Sequence, residues 1–388
     1  MSRFFIACTA ILLSVMGSAL SGQGNSVGNR MDGKRLFERE TFGGNGRTCL
    51  TCHSSQTGTV APQDALRRFQ ADPGDPLFIH DGSDDGLGHG VTRMLNDATV
   101  LITIPLPLNI QVAGNPSATS VVLRRGIPST LNTPALPTPE PLHPFDNIFM
   151  LDGRQRSLEL QAAGAIHDHA QAAVAPSSKD LERIKQFQLT DDFFSSSELR
   201  EFARGGAAPE LPQGRTAAEK RGRFFFEDVV DFVDVNHGLC GACHSGPLLN
   251  ETNFAFELLT GGAVPKGSRF QDVLVSELNE AKNPTFRFTV NAGQPGGFTT
   301  DPTPDPGRAL ITGNPFDLNS FKIPVLRGVT RTAPYFHDNS AKTLDDVVKH
   351  YKTFFEIVTD PDGPGGAPPL VSLSQEDMDA IVAFMKLL

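Results

Sequence analysis

The sequence lacks the features that mark several common classes of protein. It has no cluster of Lys or Arg that would neutralise phosphates, and its formal net charge is -10. Both features argue against nucleic-acid binding. After the N-terminus, no apolar run is long enough to cross a bilayer. Hydrophobic residues make up 39% of the chain, too many for a disordered protein and too few for a polytopic membrane protein. Tryptophan is absent, and only two tyrosines accompany the 28 phenylalanines, so side chains that are easily oxidised are scarce.

The first residues read as a targeting signal. Arg3 precedes an apolar run from Phe4 to Met16, and small residues such as Ala19 and Ser21 follow. A basic start, a short apolar stretch and small residues predict a signal peptide over residues 1–21, with an uncleaved anchor as the alternative. The mature protein is therefore expected to be exported, to the periplasm or beyond, with no stable membrane span after cleavage.

Four of the five cysteines occur in two copies of the pattern C-x-x-C-H. The copies are Cys49-Leu-Thr-Cys52-His53 and Cys240-Gly-Ala-Cys243-His244. Two thiols at i and i+3 can add to the two vinyl groups of a haem, and the adjacent histidine then reaches the iron. Two disulfides are an alternative in an exported chain. Zinc is disfavoured because its two C-x-x-C pairs normally lie close together, whereas these begin 191 residues apart. The sequence predicts two covalently bound haem c groups.

The surroundings of the two motifs also repeat. Gly33-Lys-Arg-Leu-Phe37 precedes the first motif and Gly222-Arg-Phe-Phe-Phe226 the second, each predicting a short helix that leads into a haem-binding turn. Residues Ser374 to Leu388 carry apolar side chains at helical spacing and predict a closing helix. The expected fold is mainly α, with two cytochrome c-like haem domains, long ordered loops and little β. We place the N-terminal domain at residues 30–215 and the C-terminal domain at residues 216–388.

Several longer segments of the chain form a recognisable set. They are Phe321-Lys-Ile-Pro-Val-Leu-Arg-Gly-Val-Thr-Arg-Thr-Ala-Pro-Tyr-Phe-His-Asp-Asn339, Thr343 to Val348, Thr41 to His53, Arg124 to Asn132, and Asp152-Gly-Arg154 with Leu158 and Gln161. Together they resemble the bacterial di-haem cytochrome c peroxidase family, which includes MauG. The resemblance implies that the N-terminal haem is the peroxidatic one with an open distal position. It also implies a six-coordinate C-terminal haem that stores or relays an electron.

The distal segment departs from the family pattern. Leu151 stands where the family has a tryptophan that relays charge between the haems, and Ala165 stands where it has a proline. Gln161 matches the family's glutamine, whereas Gln171 replaces a glutamate that could carry a proton. The histidines at 167 and 169 lie just before it, and we favour His169 as the acid–base group. The resemblance thus assigns Gln161, His169 and Gln171 to the distal side of the first haem.

The resemblance also implies ligands around the second haem. Tyr351 stands at the sixth-ligand position, where peroxidases of the family usually have methionine and MauG has tyrosine. A phenolate would lower the haem potential relative to a thioether. The alternatives are that the neighbouring His350 is the ligand or that Tyr351 is a core aromatic residue. His337 is expected to hydrogen-bond near the second haem.

A calcium ion between the domains is a further implication of the resemblance. The matching positions are Asn132, Thr332 and Pro334, whose oxygen atoms suit that ion. The segment Asp81-Gly-Ser-Asp-Asp-Gly86 imitates the start of an EF-hand loop, but Thr92 occupies the position of the closing glutamate, so we interpret it as a polar turn.

The expected function is reduction of hydrogen peroxide by an exported di-haem c-type oxidoreductase. The expected electron donor is a small redox protein, either a cytochrome c or a cupredoxin. One alternative is a MauG-like enzyme that oxidises side chains of a protein partner. The other is a di-haem electron carrier without catalysis.

Overall fold

A computed structural model describes residues 31–133, 149–229, 234–279, 283–291, 293–360 and 369–388. The predicted signal peptide therefore lies outside the described residues. The predicted fold class is confirmed, since helix accounts for 37% of the structure and strand for 11%. The N-terminal helices are α1 (31–39), α2 (Cys49–Cys52), α3 (Pro62–Ala71), α4 (Thr92–Asp97), α5 (Leu158–Asp168), α6 (Ser178–Thr190) and α7 (Ser197–Ala203). Those that follow are α8 (Ala217–Phe224), α9 (Phe254–Leu259), α10 (Val275–Leu278), α11 (Ala309–Thr312), α12 (Leu344–Val358) and α13 (Gln375–Met385).

Short antiparallel sheets connect the helices. The strands are β1 (Thr99–Pro105), β2 (Ile110–Val112), β3 (Ser120–Gly126), β4 (Phe270–Gln271), β5 (Phe288–Val290), β6 (Phe298–Thr299) and β7 (Phe321–Lys322). β1 pairs with β3 along its whole length, and β4 pairs with β7. β5 lies between β2 and β6. In the β2–β5 pairing, Ile110 is opposite Val290. The β2–β5 pairing joins two parts of the chain that are far apart in sequence.

The two predicted helices before the haem motifs are present as α1 and α8. Each carries a glycine at a close helix crossing. A side chain at Gly33 would meet the backbone oxygen of Arg183 in α6 at 2.1 Å, and one at Gly222 would meet that of Ala380 in α13 at 2.0 Å. Any larger residue would therefore push the crossing helices apart. The predicted closing helix is α13. Ser374 caps its N-terminus, and the helix packs on α8.

The hydrophobic cores do not follow the predicted domain boundary everywhere. One core combines side chains from residues 60–127 with Phe288, Val290, Ala309 and Leu310. Phe288, Val290, Ala309 and Leu310 fall within the predicted C-terminal domain, yet they pack against the N-terminal one, where β5 pairs with β2. A second core, around α8, α12 and α13, has its buried residues in the predicted C-terminal domain, and Leu211 packs against it from before the predicted boundary. The division at residue 215 stays a prediction.

Over the described ranges, no helix combines enough length with enough apolar character to cross a bilayer.

Candidate haem centres

Both C-x-x-C-H motifs place their histidine in the same way. Nδ1 of His53 lies 2.8 Å from the carbonyl oxygen of Gly58, and Nδ1 of His244 lies 2.9 Å from that of Leu249, five residues on in each case. A carbonyl can only accept, so Nδ1 must carry the proton, which leaves the Nε2 lone pair free to bind a metal. The surroundings therefore fix both histidines in the tautomer that a haem iron requires.

The burial of these histidines favours their neutral form. Burial lowers the pKa of His244 to about 4, against the opposing effect of the Leu249 carbonyl. Burial also lowers the pKa of His53, and the nearby His169 adds to this effect. A neutral imidazole is the form that coordinates iron.

The four motif cysteines are free thiols in the structure. Burial raises the pKa of Cys49, Cys240 and Cys243 to about 12 in each case, as expected for thiols in apolar surroundings. The alternative of two disulfides does not match these free thiols. The described residues contain no group of three or more His, Cys, Asp or Glu side chains that could hold a metal ion.

A cavity with about 1090 Å³ of empty space, including its open mouth, lies against the first motif. Its wall contains Cys49, Cys52 and His53 together with apolar side chains from α5 and from the β1–β3 sheet. Two thiols, an imidazole with a free Nε2 and an apolar wall are the groups that a covalently attached porphyrin requires. The residues present thus fit a haem c.

The structure separates the predicted distal residues into two groups. Gln161 and His169 line the cavity, on or next to α5, as do Leu151 and Ala165. Gln171 does not line it. That residue is exposed, adopts a left-handed backbone conformation with φ of 51°, and accepts a hydrogen bond from Asn45 Nδ2 at 3.1 Å. Gln171 is thus not part of the wall that its neighbours His169 and Ala170 form, and its distal role stays a prediction.

Of the two histidines considered for acid–base chemistry, only one is at the cavity. The side chain of His167 is 85% exposed and contacts Asp168, which makes it a surface residue. His169 instead contacts the buried carboxylate of Asp81, which also binds Arg47. Sequence reasoning missed Asp81 and Arg47. Asp81 was interpreted as part of a polar turn, and nothing in the sequence relates it to a histidine 88 residues away.

The surroundings of the second motif place Tyr351 near its thiols. Burial raises the pKa of Tyr351, and the neighbouring Cys243 and Cys240 raise it further. Its ring lies among Phe336, Phe354 and Phe355, with centroids 6.0–6.3 Å away. No hydrogen bond to its hydroxyl group occurs within the described part of the chain. A phenol oxygen close to the second thiol pair without a protein partner suits an axial ligand.

His350, the alternative ligand, is hydrogen-bonded to the loop before α10. Its Nε2 lies 2.8 Å from the carbonyl oxygen of Val273, to which it donates. His337 is buried, and its ring stacks on Phe321 at a centroid distance of 3.7 Å. The described contacts give the His337 ring no hydrogen-bond partner, so its predicted hydrogen bond near the second haem stays a prediction.

Leu151, at the position where the family has a tryptophan, lies in the wall of the first cavity. Its carbonyl oxygen accepts a hydrogen bond of 2.8 Å from the backbone nitrogen of Lys322 in β7. The guanidinium group of Arg125 lies 5.5 Å from the ring centroid of the neighbouring Phe321.

The three residues assigned to calcium have other contacts in the structure. Asn132 Nδ2 donates to the carbonyl oxygen of Arg327 at 2.6 Å. The hydroxyl group of Thr332 donates to the carbonyl oxygen of Val329 at 3.0 Å. The calcium site, including Pro334, stays a prediction.

A carboxyl pair near the second centre leads to a pH-dependent prediction. Burial and the neighbouring Glu277 raise the pKa of Asp272 from 3.8 to about 7. Because the pKa is raised on folding, the contribution to stability is fully present below about pH 4 and is lost as the pH rises through about 7. We expect Asp272→Asn to increase the free energy of unfolding relative to wild type at pH 8, with little difference at pH 4.

Urea unfolding of the holoprotein across this pH range measures the effect. Asp301→Asn is the matched control, since the Asp301 side chain is fully exposed at 103%. A difference between Asp272→Asn and wild type that is the same at both pH values would contradict the prediction.

Two centres of this kind, each with a thiol pair and an oriented imidazole, define a di-haem c-type cytochrome.

No family model matches the chain. Curated relatives do. The cytochrome c551 peroxidase of Nitrosomonas europaea is 24% identical over 255 residues, covering 62% of this chain and 64% of that protein. The cytochrome-c peroxidase IdrP2 of Denitromonas iodatirespirans is 31% identical over 156 residues, covering 39% and 36%. The cytochrome c peroxidase Ccp of Escherichia coli is 26% identical over 269 residues, covering 62% and 45%.

The chain is thus similar to cytochrome c peroxidases over part of its length, at 24–31% identity. It spans at most 64% of the length of these relatives, all of which are cytochrome c peroxidases. Similar solved structures include a MauG-like protein associated with microbial copper homeostasis, with 17% identity, coverage of 92% of this chain and 88% of that one, and a TM-score of 0.46. The di-haem peroxidase BthA from Burkholderia thailandensis has 16% identity, coverage of 92% and 85%, and a TM-score of 0.45.

Proposed function

We propose that the protein is an exported di-haem c-type peroxidase that reduces hydrogen peroxide to water with electrons from a small redox protein. The observation that carries the proposal is the position of His169. An ionisable imidazole and the amide of Gln161 share the cavity wall with Cys49, Cys52 and His53. A pure electron carrier needs neither an accessible cavity at its haem nor an acid–base group within it.

Each residue at the first centre has a separate task. Cys49 and Cys52 would hold the haem through thioether bonds, and His53 would hold its iron through Nε2. When bound, the haem supplies a Lewis-acidic iron that accepts and donates electrons. The amide of Gln161 orients peroxide by hydrogen bonds. His169 takes the proton from the peroxide oxygen nearer the iron and returns it to the departing oxygen, which leaves as water.

The second centre would serve as the electron store. Cys240, Cys243 and His244 hold its haem, and Tyr351 is the proposed sixth ligand. Two electrons and two protons are consumed for each peroxide, so a donor protein must deliver the electrons one after another. A cytochrome c or a cupredoxin fits this role, and an N-terminal export signal fits the periplasm, where such donors are found. The calcium assignment to Asn132, Thr332 and Pro334 belongs to the same proposal.

Stopped-flow mixing of the purified holoprotein with hydrogen peroxide tests the function. We expect rapid spectral change of the first haem and catalytic turnover with a reduced donor. His169→Gln should slow the peroxide reaction by about 10²–10⁴-fold, the usual contribution of a general acid–base group. His167→Gln is the matched control and should react like wild type, since that side chain is 85% exposed. Absence of turnover in wild type would leave the electron-carrier alternative.

The second candidate function is oxidation of side chains on a protein partner, as in MauG. The observation that favours it is a tyrosine, rather than a methionine, beside the thiols of the second motif. A phenolate stabilises the higher oxidation states of iron, which an enzyme that oxidises protein side chains must reach. Peroxide-driven turnover that leaves a covalent change on a partner protein, detected by mass spectrometry, would favour this function over reduction by a donor.

The assignment of Tyr351 leads to a prediction of its own. Tyr351→Met should raise the potential of the second haem, by a fraction of the roughly 0.8 V range that axial ligands span, and should remove phenolate absorption from the ferric spectrum. Spectroelectrochemical titration measures both changes. Tyr335→Phe is the control, because the hydroxyl group of this second tyrosine donates to the carbonyl oxygen of Val329 at 3.1 Å. If Tyr351→Phe leaves spectrum and potentials unchanged, Tyr351 is not the ligand.

A further inference from the structure

Asp81 is a buried carboxylate at the edge of the first cavity. It is 5% exposed and uses both of its oxygens. Oδ1 accepts a hydrogen bond from Arg47 Nη1, and Oδ2 contacts Nδ1 of His169. Burial alone would raise its pKa, but the hydrogen bond from His169 and the charge of Arg47 lower it. The carboxylate is therefore ionised, and an ionised carboxylate can only accept, so the shared proton is on Nδ1 of His169.

Arg47 holds this carboxylate in place. Arg47 is 2% exposed, and its guanidinium group also donates to four backbone carbonyls, at 2.7 Å for Pro76, 2.6 Å for Ile79, 3.1 Å for Leu77 and 3.2 Å for His169. With so many partners, Arg47 has little freedom to move. Since it lies two residues before Cys49, it connects the haem-attachment turn directly to Asp81.

The same cluster also fixes the backbone of His169. Its carbonyl oxygen accepts hydrogen bonds from Asn45 Nδ2 at 3.0 Å and from Arg47 Nη1 at 3.2 Å. His169 is the C-terminal cap of α5, so these bonds hold it where the helix ends. Its ring and its backbone are thus both anchored on the side of Arg47 and Asp81, while the residue lines the cavity.

We propose that Asp81 is a positioning residue that holds His169 in the Nδ1–H tautomer, so that Nε2 is the basic nitrogen presented to the cavity. The carboxylate also stabilises the imidazolium that forms when Nε2 takes up a proton. This inference rests on the proposed function in that His169 is the acid–base group for peroxide. It adds the residue that makes His169 a base, and it assigns to the loop after α3 a role in the chemistry of the first haem.

A double-mutant cycle with potassium cyanide as the probe tests the inference. Hydrogen cyanide must lose its proton to bind ferric iron, and the bound anion accepts a hydrogen bond, so its affinity reports on Nε2 without requiring turnover. The variants are Asp81→Asn, His169→Gln and the two combined. We expect Asp81→Asn to weaken cyanide binding at the first haem at least about tenfold, as loss of an orienting carboxylate does elsewhere. In the His169→Gln background, Asp81→Asn should then have no further effect.

The cycle separates a positioning role from a structural one. If Asp81→Asn weakens cyanide binding equally with and without His169, Asp81 does not act through the histidine and the inference is overturned. Asp81→Glu keeps the charge beside Arg47 and guards against loss of folding, which haem content and Tm monitor. It should retain part of the cyanide affinity that Asp81→Asn loses, and should again have no effect when His169 is Gln.

The peroxide reaction of the same variants distinguishes this inference from the proposed function. Coupling of Asp81 to His169 in cyanide binding, together with no peroxide reaction in wild type, would reject the peroxidase function and leave the positioning role intact. A rapid peroxide reaction with no coupling in either measurement would reject the positioning role alone.

Discussion

Replacing both cysteines of one motif is expected to remove one covalently bound haem and leave the other. The intact mass of the mature wild-type holoprotein should exceed that of its polypeptide by two haems, and Cys49→Ala/Cys52→Ala or Cys240→Ala/Cys243→Ala should each reduce the excess to one. The reason is that the thioether bonds form only with these thiols, which are the four free cysteines of the structure. Intact-mass spectrometry after expression with the c-type maturation machinery gives the answer directly.

Acid-acetone extraction provides the control for this experiment. A noncovalent haem is extracted by this treatment, whereas a thioether-linked haem stays with the protein. A wild-type mass excess of one haem or none, or haem that is fully extracted, would contradict both the two-haem prediction and the function proposed from it.

A large loss of stability is expected for Arg125→Met. Arg125 is 2% exposed, and its guanidinium group binds Asp305 through Nε at 2.6 Å and Nη2 at 2.9 Å, while Nη1 binds Asp152. Burial alone would lower the pKa of Arg125. The charges of Asp305 and Asp152 outweigh this effect, so the pKa of Arg125 is raised. Removing the cation leaves two buried carboxylates with less compensation, which costs about 3–5 kcal/mol in comparable buried pairs.

Urea unfolding of the holoprotein at neutral pH measures this loss. The control is Arg287→Met, because Arg287 is 53% exposed and its partner Asp301 is fully exposed, so the change should lie within about 0.5 kcal/mol of wild type. Equal losses for the two variants would show that the cluster contributes no more than a surface ion pair.

The parts of the centres that are local in sequence could be predicted from it. The spacing of Cys49, Cys52 and His53 carries its chemistry within one turn, and the structure has helices at the two segments around Gly33 and Gly222, as predicted. Local periodicity and the Ser374 cap were enough to predict α13.

Contacts between distant residues could not be predicted in this way. Asp81 meets His169 across 88 positions, and Arg125 meets Asp305 across 180. No local pattern marks such pairs. An aspartate in an exposed polar turn and an aspartate buried against a distant partner can have the same neighbours in sequence. Gln171 shows the limit of counting along a family pattern, since this residue is exposed whereas His169 and Ala170 just before it line the cavity.

The pairing of β2 with β5 has a consequence for how the chain folds. The core beside Cys52 is completed by Phe288 and Val290, so a fragment that ends at residue 215 would expose Ile110 and its neighbours to water. Because the two sides of this core come from segments far apart in the chain, the core can close only once Phe288 and Val290 are in place.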